Sequence, residues 1–469
     1  PVICYTLWRV VSTVFLLEKA QTCLFFQVYK NHGGSRLCGF YELLKPTLMV
    51  WDPELVKAIL MKDFDHFVDR RHFTVTSKRD EVISEMLTVA RGNHWKGIRS
   101  VLSPSFTSGR MKGMFPLVGL KADALLDYIH RETKTKPIIQ LKKSFGLYTL
   151  EVISSCAFGM ETNTLVEGDS TINSMVEKLF KITPARMVKL VFFTMFPKIC
   201  SALRINLSQP EMTYFQDIVI ETMKRRETGE KRGDFLDLMM EARSDQQNPN
   251  SKAPKYPLKD STIVAEAMLF ILAGYDTTAN TLAFLAFLLA QHPLHQQRLR
   301  LELTHIIKEN GTLSYQDIME AKFLDACVSE ALRMYPPAHF TERQCTKDYT
   351  IPGTNVFIPE KTIVSVPIWS LHYDPRYWSD PMVFNPDRFL PGNKDTIISG
   401  TYLPFGLGPR NCIGMRFALM EAKLAIAKVL LEFELRCAPG FDQLTLSNQI
   451  GIMRPSDDLS LAFVPIAKE

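Results

Sequence analysis

The chain has 469 residues, of which 46% are hydrophobic and 22% charged, with a formal net charge of +5 and a pI near 8.6. This is ordinary globular composition, rich enough to bury a large core. The Lys and Arg are interleaved with acids, which argues against a nucleic-acid partner and leaves room for a basic docking patch. Nine cysteines occur at irregular spacing with no C-x-x-C pair, arguing against a disulfide framework, a zinc or iron–sulfur site, and for a reducing compartment.

In chain order, Pro1 to Leu17 is apolar but interrupted by Arg9. A membrane span needs about 20 apolar residues, and a central Arg costs roughly 2.5–3.5 kcal/mol. Residues 1–25 are therefore set apart as an atypical segment, either a partial anchor or an altered N-terminus. Gly39–Glu42 and Thr47–Val50 read as strands, and Asp52-Pro53 starts a helix running to about Met61. Helical periodicity dominates from Met114. Asp245–Pro257, polar with three prolines, reads as an exposed loop.

A long helix follows, with Asp260 and Ser261 as N-cap candidates and no Pro from Thr262 to Gln291. Its apolar run invites a membrane reading, but Glu266, Asp276 and Asn280 favour a buried central helix. Extended pieces return at Tyr349–Ile358 and Thr362–Ile368. A Pro- and Gly-rich stretch covers Asp374–Pro409, and a helix runs from about Gly414 to Glu432. The expected class is mainly α with some β (α+β), with small sheets at both ends.

The strongest chemical signal is Phe405-Gly-Leu-Gly-Pro-Arg410-Asn-Cys412-Ile-Gly414. Three glycines let the backbone pass close to a flat ligand. Cys412 precedes a helix whose N-terminus favours a thiolate, which an axial haem ligand must be. Arg410 can reach a propionate. The alternative is a Gly-rich turn around a structural cysteine, against which the fixed spacing of Phe, three Gly, Arg and Cys weighs.

This loop resembles the haem-binding loop of the cytochrome P450 superfamily, and other motifs fall in the expected order. Glu330-Ala-Leu-Arg333 and Asn385-Pro-Asp-Arg388-Phe resemble the family's Glu/Arg/Arg triad, implied to be structural support for the haem loop. Ala273-Gly-Tyr-Asp276-Thr277-Thr278 resembles its oxygen-activating motif. Thr277 would hold the hydrogen bond to the oxygen being reduced, and Asp276 would feed protons through water. Gly274 and the Thr hydroxyls would loosen the helix ladder; a packing notch is the alternative. Trp95-Lys-Gly-Ile-Arg99 resembles the propionate-binding Trp and Arg, and Arg70 and Arg343 align with further propionate partners.

The resemblance covers about Phe26 to Ile466 and is closest to the animal microsomal, drug-oxidising clan (family 3-like). It implies the cytochrome P450 fold, a large helical haem domain over 26–466 with a small β-rich N-terminal lobe. It implies haem b, dioxygen, an apolar small-molecule substrate and electrons from NADPH through cytochrome P450 reductase, with cytochrome b5 as a further donor. It also implies the cytoplasmic face of the endoplasmic reticulum membrane. The reductase would dock where Lys96, Lys112, Arg416, Lys423 and Lys428 form a basic surface. An apolar stretch at Met187–Pro197 matches a lipid-dipping helix pair, with a core role as the alternative. Substrate contacts are expected from Thr74–Val89, residues 177–196, Phe270, Ile271 and Ala273, Ala338 to Phe340, and Ile450–Met453. Two rivals are a peroxide-rearranging haem-thiolate isomerase and a non-catalytic haem or lipid binder; neither would need the Asp276-Thr277 pair.

Overall fold

The computed structural model describes residues 25–466, except 33, 43–44, 72–79, 168–170, 182, 207, 230–231, 247–255, 441–442 and 448–450. The readings of the N-terminal segment, of most of the 245–257 loop, of Thr74 to residue 79 and of Ile450 lie outside the described residues.

The architecture is mainly helical with small sheets of four, three and two strands among the described residues. The four-stranded sheet begins with the antiparallel pair Leu37–Glu42 and Lys45–Val50. Two strands from some 300 residues later complete it. Ile363–Val366 lies parallel to Lys45–Val50, and Thr341–Gln344 pairs antiparallel with Ile363–Val366, placing Arg343 opposite Val364. The N-terminal lobe is thus closed by the middle of the chain. A helical turn pair at 25–32 docks on it, with Phe25 stacked on Phe340 at 4.7 Å and Tyr29 against Trp51 at 5.3 Å.

Asp52 caps the helix Pro53–Lys57 by accepting from Leu55 N at 3.0 Å. The expected single helix to Met61 instead widens into a π-turn, Ala58–Lys62, against which the Cys412 loop packs. The helix expected from Met114 starts earlier, at Ser108, and runs to Thr133.

The central helix is Asp260–Gln291, 32 residues and about 48 Å long. Its cap is Lys259, not Asp260 or Ser261; Asp260 lies in the first turn and pairs with Arg243. It is long and apolar enough to cross a membrane, yet it lies largely buried against the almost wholly buried helix Leu141–Phe158. Gly274 makes this approach possible, because a Cβ there would meet Ile153 at 2.9 Å. The helices Lys322–Met334 and Met415–Glu432 complete the core around the site.

Candidate functional site

The Cys412 loop is a tight reversal. Gly406 N donates to Leu403 O at 3.0 Å, Asn411 N to Gly408 O at 3.0 Å and Cys412 N to Phe405 O at 2.9 Å. Gly406 and Gly408 have φ of 72° and 75°, which side chains rarely adopt. At Gly408 the space is also closed, since a Cβ would stand 1.8 Å from Leu60 O in the π-turn. Gly408→Ala is therefore expected to cost roughly 2–4 kcal/mol and displace the loop. Haem content per chain and melting temperature check this, and wild-type values for both would contradict it.

Three layers of side chains hold the loop. Arg99, on the helix Gly92–Leu102, donates to Asn411 O and Oδ1, both at 2.9 Å. Farther out, Glu330 accepts from Arg333 Nε at 2.7 Å and Nη2 at 2.9 Å, from Asn385 N at 3.0 Å and from Arg388 Nε at 3.3 Å. Glu330 and Arg333 are 0% exposed, so this is no surface pair. Between the layers stands His372, which sequence reasoning missed. Its Nδ1–H donates to Arg333 O at 2.9 Å and its Nε2 accepts from Leu403 N at 2.8 Å. Both bonds require a neutral ring, and burial depresses its pKa to about 3. The path Glu330–Arg333–His372–Leu403–Gly406 thus connects the triad to the loop.

On the loop's other side, the predicted arginines form a cationic wall. Arg410 lies over the Trp95 ring at 4.3 Å, donates to Ala90 O at 2.7 Å and has Asp69 at 3.6 Å. Its Nε and Nη1, the Nε of Arg70 and the Nε of Arg343 are buried without a hydrogen-bond partner. Arg71 turns the other way, onto Glu342 and Glu42, which separates it from Arg70. Burial, then the fields of its neighbours Arg70, Arg91 and Arg99, pushes Arg410 down to about 9. Burial and then Arg70 and Arg410 push Arg343 well below its ordinary value. Clustered buried guanidiniums with unused N–H groups call for anions of matching geometry, which the two propionates of a haem supply.

Cys412 is exposed at the end of this loop. The surrounding protein bears on the thiol in two directions. Burial pushes it up, while the Gly414 amide, Arg99 and Arg70 pull it down, with burial winning. The helix itself starts at Met415 with Gly414 as its cap, so Cys412 lies beyond its first turn.

Thr277 lines a cavity together with Phe405, Thr278, Thr281, Val328, Leu332, Pro337, Ala418, Leu419 and Ala422. Thr277 Oγ1 donates to Ala273 O at 2.6 Å and Thr281 Oγ1 to Thr277 O at 2.8 Å, the back-bonding that loosens a helix ladder. Asp276 points elsewhere and is ion-paired with Arg454. Thr278 is buried next to Glu421, whose carboxyl burial pushes well above its ordinary range.

Not every expected contact arrives here. Ala273 is exposed, and Leu269 and Leu272 are half-buried on the same face of the helix. Phe270 instead packs with Phe106 and Phe235 at 5.8 and 5.3 Å, and Ile271 is buried, because the helix turns these two about 100° per residue off the open face. Ala338 is exposed and pairs with Ile452, whereas Phe340 turns onto Phe25. Lys423 is not on a basic surface: its side chain is 1% exposed and paired with Asp325 at 2.8 Å. Lys112 and Arg416 remain exposed, while Lys428 pairs with Asp123.

The family model described as Cytochrome P450 matches residues 4–463. Cytochrome P450 3A31 of Mesocricetus auratus is 36% identical over 445 residues, covering 94% of this chain and 86% of the relative. Cytochrome P450 3A13 of Mus musculus is 34% identical over 97% of the chain and 89% of the relative. Cytochrome P450 3A7 of Homo sapiens is 35% identical over 87% and 80%.

Proposed function

The chain belongs to the cytochrome P450 family, and from that premise we propose that it inserts one atom of dioxygen into an apolar small molecule, a xenobiotic, steroid or lipid. Electrons come from NADPH through a separate reductase, with cytochrome b5 as a further donor. The observation that carries this reading is that Phe405, at the root of the Cys412 loop with its buried arginines, lines one apolar cavity with Thr277.

Haem b, when bound, would supply the iron that activates dioxygen; Cys412 would hold it through a thiolate, and Arg70, Trp95, Arg99, Arg343 and Arg410 would hold its propionates. Phe405 and Gly414 border it. Residues 26–466 act as one haem-binding domain. The chain's own chemistry is to exclude bulk water and to manage protons. The cavity wall of Val328, Leu332, Ala418 and Ala422 is apolar. Thr277 Oγ1, back-bonded to Ala273 O, is the hydroxyl that passes a proton into the cavity, and Asp276 resupplies it. Ala273 and Ala338 receive the substrate from two sides, joined by Leu269 and Leu272.

The membrane face is proposed at the helices Pro184–Met195 and Pro197–Ala202, where Val188, Leu190, Phe192, Phe196 and Ile199 are exposed. An apolar surface of this kind suits the lipid boundary of the endoplasmic reticulum.

The test is Thr277→Ala. Product per NADPH is expected to fall by roughly 10- to 10²-fold while NADPH consumption continues and hydrogen peroxide rises, with haem content and substrate binding retained. Thr278→Ala is milder, since that hydroxyl turns to Glu421. Simultaneous assays of product, NADPH and peroxide decide it; equal coupling in Thr277→Ala and wild type contradicts the role and favours the reductase-independent isomerase.

A further inference from the structure

Arg454 Nε stands 2.6 Å from Asp276 Oδ2, with side chains only 6% and 2% exposed. The approach lacks the geometry of a directed hydrogen bond at Oδ2, so charge attraction in a dry setting holds the two together. Arg454 belongs to a segment tied to the substrate side of the cavity. Met453 N donates to Pro337 O at 2.9 Å, Ile452 bridges Ala338, and Ser447 N donates to Arg454 O at 2.9 Å. The same guanidinium lies 5.5 Å over the Phe180 ring, at the end of the helix Thr171–Phe180, and Phe180 stacks on Tyr275 at 5.3 Å. Three elements therefore meet at one cation. The other ionisable groups around it are Tyr275, which burial keeps neutral, and Glu177 and Asp457, whose fields reach Tyr275 together with that of Asp276.

Burial favours the neutral form of a carboxyl group, and an adjacent guanidinium favours the charged form. An acid that relays protons must regain its charged form after each delivery, or it cannot accept the next proton. We propose that Arg454 is a positioning residue for Asp276, holding the carboxylate turned toward the C-terminal segment, so that the seating of this segment controls proton supply to Thr277. The proposal rests on Asp276 being the proton-relaying acid.

The holoenzyme, supplied with reductase and an apolar substrate, tests this through Arg454→Gln, Arg454→Lys, Asp276→Asn and the double variant Arg454→Gln/Asp276→Asn. Arg454→Gln is expected to slow product formation by roughly 3- to 10-fold and raise the solvent deuterium isotope effect, and Asp276→Asn is expected to do the same. The double variant should be no slower than Asp276→Asn alone, and Arg454→Lys should fall between wild type and Arg454→Gln. A readout independent of turnover is the infrared difference spectrum. Arg454→Gln should shift the Asp276 carboxyl stretch from its wild-type position, a band that the double variant lacks. If Asp276→Asn is slow while Arg454→Gln matches wild type in both readouts, the proposal is overturned; additive losses in the double variant overturn it too. Wild-type turnover in Asp276→Asn instead removes the reading beneath it. Should Arg454→Gln not yield holoprotein, Arg454→Lys decides: an intermediate isotope effect supports the proposal and a wild-type value overturns it.

Discussion

Glu330→Ala is expected to give a chain that does not retain haem and is less stable by about 3–5 kcal/mol, because it strands a fully buried charge. Arg333 is 0% exposed and would keep as hydrogen-bond acceptors the carbonyls of His372 at 2.7 Å and Pro381 at 2.9 Å, with no carboxylate to balance its charge. Asn385 N would also lose its acceptor. The damage travels along a stated path, since Arg333 O fixes His372 and His372 fixes Leu403, at the root of the Cys412 loop. Arg388→Ala should be milder, because Arg388 is partly exposed, meets Glu330 at 3.3 Å and also bonds Ser379 and Asp380. Haem content and melting temperature are the measurements. Full haem content with unchanged melting in Glu330→Ala would remove the bracing role.

Cys412→Ala is expected to abolish oxygenation while barely moving the stability of the haem-free chain, within about 1 kcal/mol. Cys412 is exposed instead of filling the core, so truncation leaves no packing defect. Cys156→Ser is the converse case. Cys156 is 0% exposed among apolar neighbours, so the change costs stability but leaves the haem site's chemistry in place. Comparing turnover and melting across the two variants separates a ligand from a core cysteine. Retained oxygenation in Cys412→Ala would contradict its assignment.

Much of this was legible because local chemistry and fold demand the same residues. The Cys412 loop needs glycines for its positive φ values and for the closeness of Leu60, and those glycines stand in the sequence. Glu330 and Arg333, one turn apart, could be read as a pair, though only the fold shows them fully buried. Other features have no local signature. Phe270 and Ile271 lie on the same apolar helix as Ala273, and only the packing of Phe106 and Phe235 decides which face is open. His372 acts through two bonds to residues 39 and 31 positions away, which no spacing announces. Lys423 reads as one more surface lysine until Asp325 draws it inside. Arg454 carried a faint signal, a lone charge within Ile-Gly-Ile-Met-Arg-Pro, but its partner is 178 positions away in the central helix.

The account stands on Cys412 as the thiolate ligand of a haem, and the carbon monoxide difference spectrum of the reduced holoprotein addresses that directly. A thiolate opposite carbon monoxide shifts the Soret band strongly to the red, and a neutral ligand does not. The wild-type chain is predicted to show the red-shifted band, Cys156→Ser to keep it, and Cys412→Ser to lose it. A red-shifted band persisting in Cys412→Ser, or its absence from haem-replete wild type, would contradict the account.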